Sequence, residues 1–234
     1  MSQETAQKRP TGFEQLVDVD GILNVDKPPG ITSMDVVRRV KRTLGLKRIG
    51  HGGTLDPIAT GVIPVCLGRS TKMMDYMIQG TRKYRAAIEL GIQTDTYDAL
   101  GKITVRKDPS MVSLNEVKGA LKAYTGTIEQ IPPMYSALKK QGKRLYELAR
   151  AGVEVEREPR TVNVIALELL DSKLPIFKID ITCGRGFYVR SFAHDLGITL
   201  GCGAHMKSLQ RLRSGPFKLS DATTLDALEQ HFVD

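Results

Sequence analysis

The stretch that decides the fold class is TVNVIALELLDSKLPIFKIDITCGRGFYVRSFAHDLGITL, Thr161 to Leu200. Residues 161–170 and 176–183 are rich in β-branched side chains with period-two alternation, so they read as two neighbouring strands. A glycine-bracketed turn, Gly184-Arg185-Gly186, leads into residues 189–200, whose spacing predicts a helix. Two strands in succession followed by a helix break strict βαβ alternation. The pattern therefore predicts an α+β fold on a mixed, largely antiparallel sheet flanked by helices.

Working outward, Arg82–Leu90 alternates so that Tyr84, Ala86, Ile88 and Leu90 share one face. Helices fit residues 114–123, 142–151 and 223–231. Gly21–Val25 reads as a short strand, ended at Lys27-Pro28-Pro29-Gly30 because proline donates no ladder hydrogen bond. A helix follows, with Thr32 and Asp35 at capping-box spacing, Val36, Val37, Val40 and Leu44 as its apolar stripe, and Gly45 as its stop. Its wet side carries Arg38, Arg39, Lys41 and Arg42, which suit either phosphate or solvent. Residues 1–18 are polar and aperiodic and read as a flexible arm, which leaves residues 19–234 as one catalytic-sized domain.

The 234 residues are 41% hydrophobic and 26% charged, which fits a globular chain, and their formal charge of +8 with pI near 9.4 favours a polyanionic partner. No apolar run approaches a bilayer span and the first residues do not form a signal peptide, so a cytoplasmic location is expected. Three widely spaced cysteines, Cys66, Cys183 and Cys202, suggest buried thiols, and neither disulfides nor a metal site is expected.

Chemistry concentrates in two places. Gly50-His51-Gly52-Gly53-Thr54-Leu55-Asp56-Pro57-Ile58-Ala59-Thr60-Gly61 is a small-residue loop in which His51 and Asp56 are the strongly reactive side chains. It lacks the Gly-Lys-Ser/Thr of a phosphate loop, and Asp before Pro also fits a helix N-cap. In the second stretch, Cys183–Gly197, the strand, glycine turn and helix bring Arg185, Tyr188 and Arg190 to a helix N-terminus. An anion or a nearby carboxylate is the expected partner there.

These stretches resemble the TruB family of tRNA pseudouridine synthases, which modify uridine 55 in the T loop. The likeness extends from Gly21 to about Phe217. It includes Leu23–Gly30, His51–Gly61, Arg82–Arg85, Thr94-Asp95-Thr96-Tyr97-Asp98-Ala99-Leu100-Gly101, Pro132–Lys139, Gly142–Arg150, Cys183–Gly197 and Arg213–Phe217. The chain departs from the pattern at Gly52, Phe187 and Gln210, where the family commonly has threonine, threonine and arginine.

The resemblance implies a pseudouridine synthase fold with a central RNA-binding cleft. Asp56 is then the catalytic aspartate, Arg190 its salt-bridge partner, and Tyr84 the ring that packs on the target base and assists proton removal from C5. His51 would meet the T loop, Lys27 would lie near the site, Leu209 would line the uracil pocket, and Tyr188 joins the substrate-binding set. The implied partner is the T stem-loop of tRNA, with no protein partner and a monomeric chain.

Isomerising uridine breaks the bond from N1 to C1′ and joins C5 to C1′ with no redox step, so no cofactor is expected. A carboxylate beside an arginine is expected to stay ionised below its reference pKa of about 3.9. Attack on the sugar, attack on C6 and abstraction of a sugar proton all remain open. The base must leave the stack, at a cost of a few kcal/mol. Two competing readings are a non-catalytic RNA-binding or RNA-folding module and a guide-RNA-directed synthase. The latter usually adds a C-terminal PUA domain, for which the residues after Phe217 leave no room.

Overall fold

The computed structural model describes residues 19–77, 79–140 and 142–232; the arm expected at residues 1–18 lies outside them. In chain order the elements are β1 (Gly21–Lys27), α1 (Ser33–Leu44), β2 (Ile49–His51), β3 (Thr60–Leu67), α2 (Met74–Met77), β4 (Arg82–Leu90), β5 (Ile92–Thr94) and β6 (Ile103–Arg106). They continue with α3 (Leu114–Lys122), β7 (Gly126–Gln130), β8 (Lys139–Lys140), β9 (Lys143–Arg144), α4 (Leu145–Arg150), β10 (Arg160–Lys173) and β11 (Ile176–Cys183). The last are α5 (Val189–Thr199), β12 (Ala204–Ser214), β13 (Phe217–Lys218), β14 (Thr223–Thr224) and α6 (Leu225–His231).

One large sheet runs β14-β1-β3-β12-β4-β11-β10-β7, with β2 beside β3 and β13 beside β12. Among the described strands of this sheet, only the β1–β14 and β3–β12 pairings are parallel. The sheet is thus mixed and largely antiparallel, as the strand order predicts. Two halves meet at β12. The first, β1 with β3 and β2, is covered by α1 and α6 through Val25, Val36, Val40, Ile63, Val65 and Leu225. The second, β4 to β7, packs Ile88, Ile179 and Ile181 against Phe192 and Leu196 of α5. Each fully buried side chain of this size contributes about 1.5–3 kcal/mol relative to exposure.

Helix α1 starts where its cap dictates. Thr32 Oγ1 accepts the Asp35 N–H at 3.1 Å, Asp35 Oδ2 accepts the Thr32 N–H at 2.9 Å, and Gly45 closes the helix with φ 65°. Such a cap contributes about 1 kcal/mol. Arg39 donates to Asp226 at 2.9 Å and Glu229 at 2.7 Å, so this arginine ties α1 to α6 instead of offering itself to a phosphate.

Three strands of five or more residues escape the pattern reading. In β3 the buried run Gly61–Leu67 lacks alternation, and Pro64 argues against a central strand. Pro64 is accommodated because it lies between two partners: β12 pairs with Thr60 and Gly61, and β2 with Val65–Leu67. Strand β12 carries two register shifts, between Met206 and Ser208 and between Arg211 and Arg213, which break its periodicity. In β7, only five residues long, a half-buried to exposed pattern leaves little signal. The helix expected from residue 142 begins at Leu145, because Lys139–Lys140 pairs with Lys143–Arg144 as a hairpin. The last helix begins at Leu225, since Thr223 and Thr224 pair with Val25 and Asp26.

Candidate active site

One row of paired residues crosses the sheet: Lys27 on β1, Gly61 on β3, Arg211 on β12 and Tyr84 on β4. Directly paired residues put their side chains on one face, so Lys27, Arg211 and Tyr84 line up with a glycine gap between them. Gly61 has φ +99°, and a Cβ there would come within 2.3 Å of the Arg211 carbonyl oxygen. Only glycine lets β3 approach β12 so closely.

The loop from Gly52 to Ala59 lies over this row and is held by its backbone. Lys27 is wholly buried and donates from Nζ to the carbonyls of Pro28 at 2.8 Å and Pro57 at 3.3 Å. The Pro57 carbonyl also accepts the Gly30 N–H at 2.8 Å. Ser33 Oγ accepts the Leu55 N–H at 2.8 Å and donates to the Leu55 carbonyl at 3.1 Å. No helix follows Pro57. Asp56 opens a turn in which its carbonyl accepts the Ala59 N–H at 3.0 Å, with proline at the position that favours it.

That clamp presents the Asp56 carboxylate to the first turn of α5. Arg190 Nε meets Asp56 Oδ2 at 2.9 Å and Nη2 meets Oδ1 at 2.9 Å, a two-pronged fork across 134 residues of sequence. Arg190 also donates to the carbonyls of Tyr135 at 2.8 Å and Thr96 at 3.3 Å. A second carboxylate, Asp98, stands 4.0 Å from its Nε, and Asp98 Oδ1 accepts from Thr96 Oγ1 and the Leu100 N–H. The Arg190 side chain is 6% exposed and that of Asp56 is 29% exposed, so the fork is sealed on the arginine side and open on the carboxylate side.

Sequence reasoning counted only the arginine and expected a depressed Asp56 pKa. Burial instead pushes the carboxyl up; Arg190 and Lys27 oppose the rise, and Asp98 adds to it.

Residues 41–189 match the family model described as "TruB family pseudouridylate synthase (N terminal domain)", and residues 190–234 match "tRNA pseudouridylate synthase B C-terminal domain". The chain belongs to the TruB family. A curated relative from Symbiobacterium thermophilum, named tRNA pseudouridine synthase B, is 52% identical over 218 residues, covering 92% of this chain and 73% of the relative. One of the same name from Clostridium tetani is 45% identical, covering 92% and 74%. Among solved structures, the chain is similar to one in a Cbf5-Nop10-Gar1 complex, with TM-score 0.72 and 33% identity over 91% of this chain. It spans about half of that chain, 54%.

In this TruB-family chain the remaining expected site residues lie at different depths. Tyr84, 7% exposed, and Leu209 belong to the same buried cluster as Leu55 and Ala59, which flank Asp56. His51 is half-buried on β2; burial lowers its pKa, the Arg211 charge adds to that, and its Nδ1 has no hydrogen-bond partner among the described residues. Tyr188 is the N-cap residue of α5, and Gln130 fixes its backbone by accepting its N–H at 2.7 Å and donating to its carbonyl at 3.0 Å. Burial raises the Tyr188 phenol. Lys27 lies beneath the loop, where burial pulls its ammonium down to about 8. Arg185 stands apart, exposed and 4.0 Å from Asp75.

Three residues of the site were not anticipated. Ser33 and Asp98 sat inside recognisable stretches without a reason to single them out. Arg211 shares β12 with Lys207 and Arg213, in a strand whose alternation is broken on both sides, so nothing in the sequence set it apart as the buried one of the three.

Proposed function

We propose that this protein isomerises uridine 55 in the T loop of tRNA to pseudouridine, in the cytoplasm, and that the described domain is the catalytic unit. The observation that carries the reading is the Arg190 fork on a carboxylate left open on one side. The arginine is spent inside the protein while the carboxylate keeps an accessible edge, which a group that acts on a flipped nucleotide needs. Membership of the TruB family and relatives named tRNA pseudouridine synthase B support the same substrate class.

In this reading Asp56 engages the extruded uridine while the N1–C1′ bond breaks. The uracil turns without leaving, C5 joins C1′, the C5 proton departs toward Tyr84 and on to solvent, and N1 takes up a proton where its bond to C1′ was. Leu209 and Tyr84 provide the apolar wall and ring that hold the base, His51 and Tyr188 flank it, and Lys27 supports the Asp56 loop from beneath. The basic surface supplies phosphate contacts. Tritium release from tRNA labelled at C5 of uridine tests the reaction, and mapping of the product tests the position. A wild-type protein that binds the T stem-loop and releases no tritium would remove it.

A further inference from the structure

The two halves of the sheet bring different parts of the site, and one buried side chain touches both. Arg211 is 1% exposed, yet it faces no carboxylate within ion-pair distance among the described residues. Its Nε donates to the Val62 carbonyl at 2.6 Å, Nη1 to the Thr54 carbonyl at 3.4 Å and Nη2 to the Gly53 carbonyl at 3.2 Å. All three acceptors lie in the β2–β3 half, two of them in the loop that ends in Asp56. On its other side, Arg211 is paired directly with Tyr84 across β12 and β4, so the guanidinium that holds the loop stands beside the phenol on the same face of the sheet.

Burying a guanidinium costs several kcal/mol unless its donors are met. A loop staple alone needs carbonyl contacts, which Lys27 already supplies to the same loop. What Lys27 does not do is reach Tyr84. Through Arg211, the strand position beside Tyr84 is tied to the Gly53–Thr54 backbone and so to the loop of Asp56.

We propose that Arg211 is a positioning residue for the reaction, coupling the Asp56 loop to Tyr84 so that carboxylate and phenol meet the uracil in one fixed geometry. Opposing the desolvation that raises the phenol, the nearby positive charge also favours its ionised form.

The inference rests on the pseudouridine reading, and its test keeps the two apart. Tritium release is measured as kcat and KM for wild type, Arg211→Lys, Tyr84→Phe and the double variant across pH. Arg211→Lys keeps the charge and loses the planar fork. The expected result is a kcat lower by about tenfold or more, with KM within about threefold, because geometry and not binding is lost. The double variant should fall no more than about threefold below Tyr84→Phe, since both remove one unit. Wild type that releases no tritium overturns the function. Active wild type with Arg211→Lys within about twofold of it, or with losses that multiply, overturns the role of Arg211 alone. If Arg211→Lys does not fold, the protected Nε–H resonance of Arg211 is compared in wild type and Tyr84→Phe. A shift supports the coupling and an unchanged resonance overturns it.

Discussion

The two halves of the sheet present their share of the site by different means. In the β1–β3 half the key group, Asp56, sits on a turn between strands, and its place is set by backbone carbonyls held from below by Lys27, Ser33 and Arg211. In the β4–β7 half Tyr84 stands on a long strand and Arg190 on the first turn of a helix, so regular structure alone aims them. A carboxylate on a loop is adjustable but must be clamped. An arginine on a helix is aimed at once and needs only its partners.

The comparison predicts that the loop side tolerates least. Asp56→Asn keeps the shape and the RNA affinity but should lower tritium release by at least about a thousandfold, roughly 4 kcal/mol of barrier, because an amide is neither nucleophile nor base. Residual turnover near wild type would mean that the clamp serves something other than this carboxylate.

On the other half, Arg190→Lys retains charge but not the fork, and a loss of about a hundredfold, about 2.7 kcal/mol, is expected in kcat/KM. A rate within about twofold of wild type would show that the helix delivers charge and not geometry. Tyr84 divides the half further. Should the hydroxyl act on the C5 proton, Tyr84→Phe will bind RNA and lose about a hundredfold in kcat, and Tyr84→Leu will lose binding as well. Equal rates for Tyr84→Phe and wild type would leave the ring as a packing surface only.

The smallest expected effect concerns pH. Burial raises the Asp56 carboxyl, so activity that needs the carboxylate is present above that raised pKa and is lost as pH falls through it. Asp98 contributes to the rise. Asp98→Asn keeps a hydrogen-bonding side chain and removes the charge, so the acid limb of kcat/KM should move to lower pH, with a plateau within a few-fold of wild type. An unmoved limb would mean that Asp98 only braces its own loop.

Legibility in the sequence followed the same division. Strands β4 and β11, which alternate cleanly, and α1, with its complete capping box, stand close to where pattern puts them. The reactive loop was visible because small residues surround His51 and Asp56, and family likeness tied Asp56 to Arg190. The turn at Asp56 was not distinguishable from a helix start, since proline suits the first position of either. Arg211 and β12 stayed hidden for one reason. Two register shifts within eleven residues move side chains off a period of two, and a buried arginine satisfied by carbonyls has no partner spacing to betray it.

Strand β12 also dictates an order of assembly. Among the described residues it is the sole strand that hydrogen-bonds both β3 and β4, and it comes near their C-terminal end. Before residues 204–214 have left the ribosome, β1–β3 and β4–β11 have no shared ladder, so Asp56 and Tyr84 belong to separately forming units. The site is therefore a late event in the life of each molecule. A nascent chain released short of Ala204 carries every residue of the loop and of the Arg190 helix, and lacks the strand that joins their two halves of the sheet.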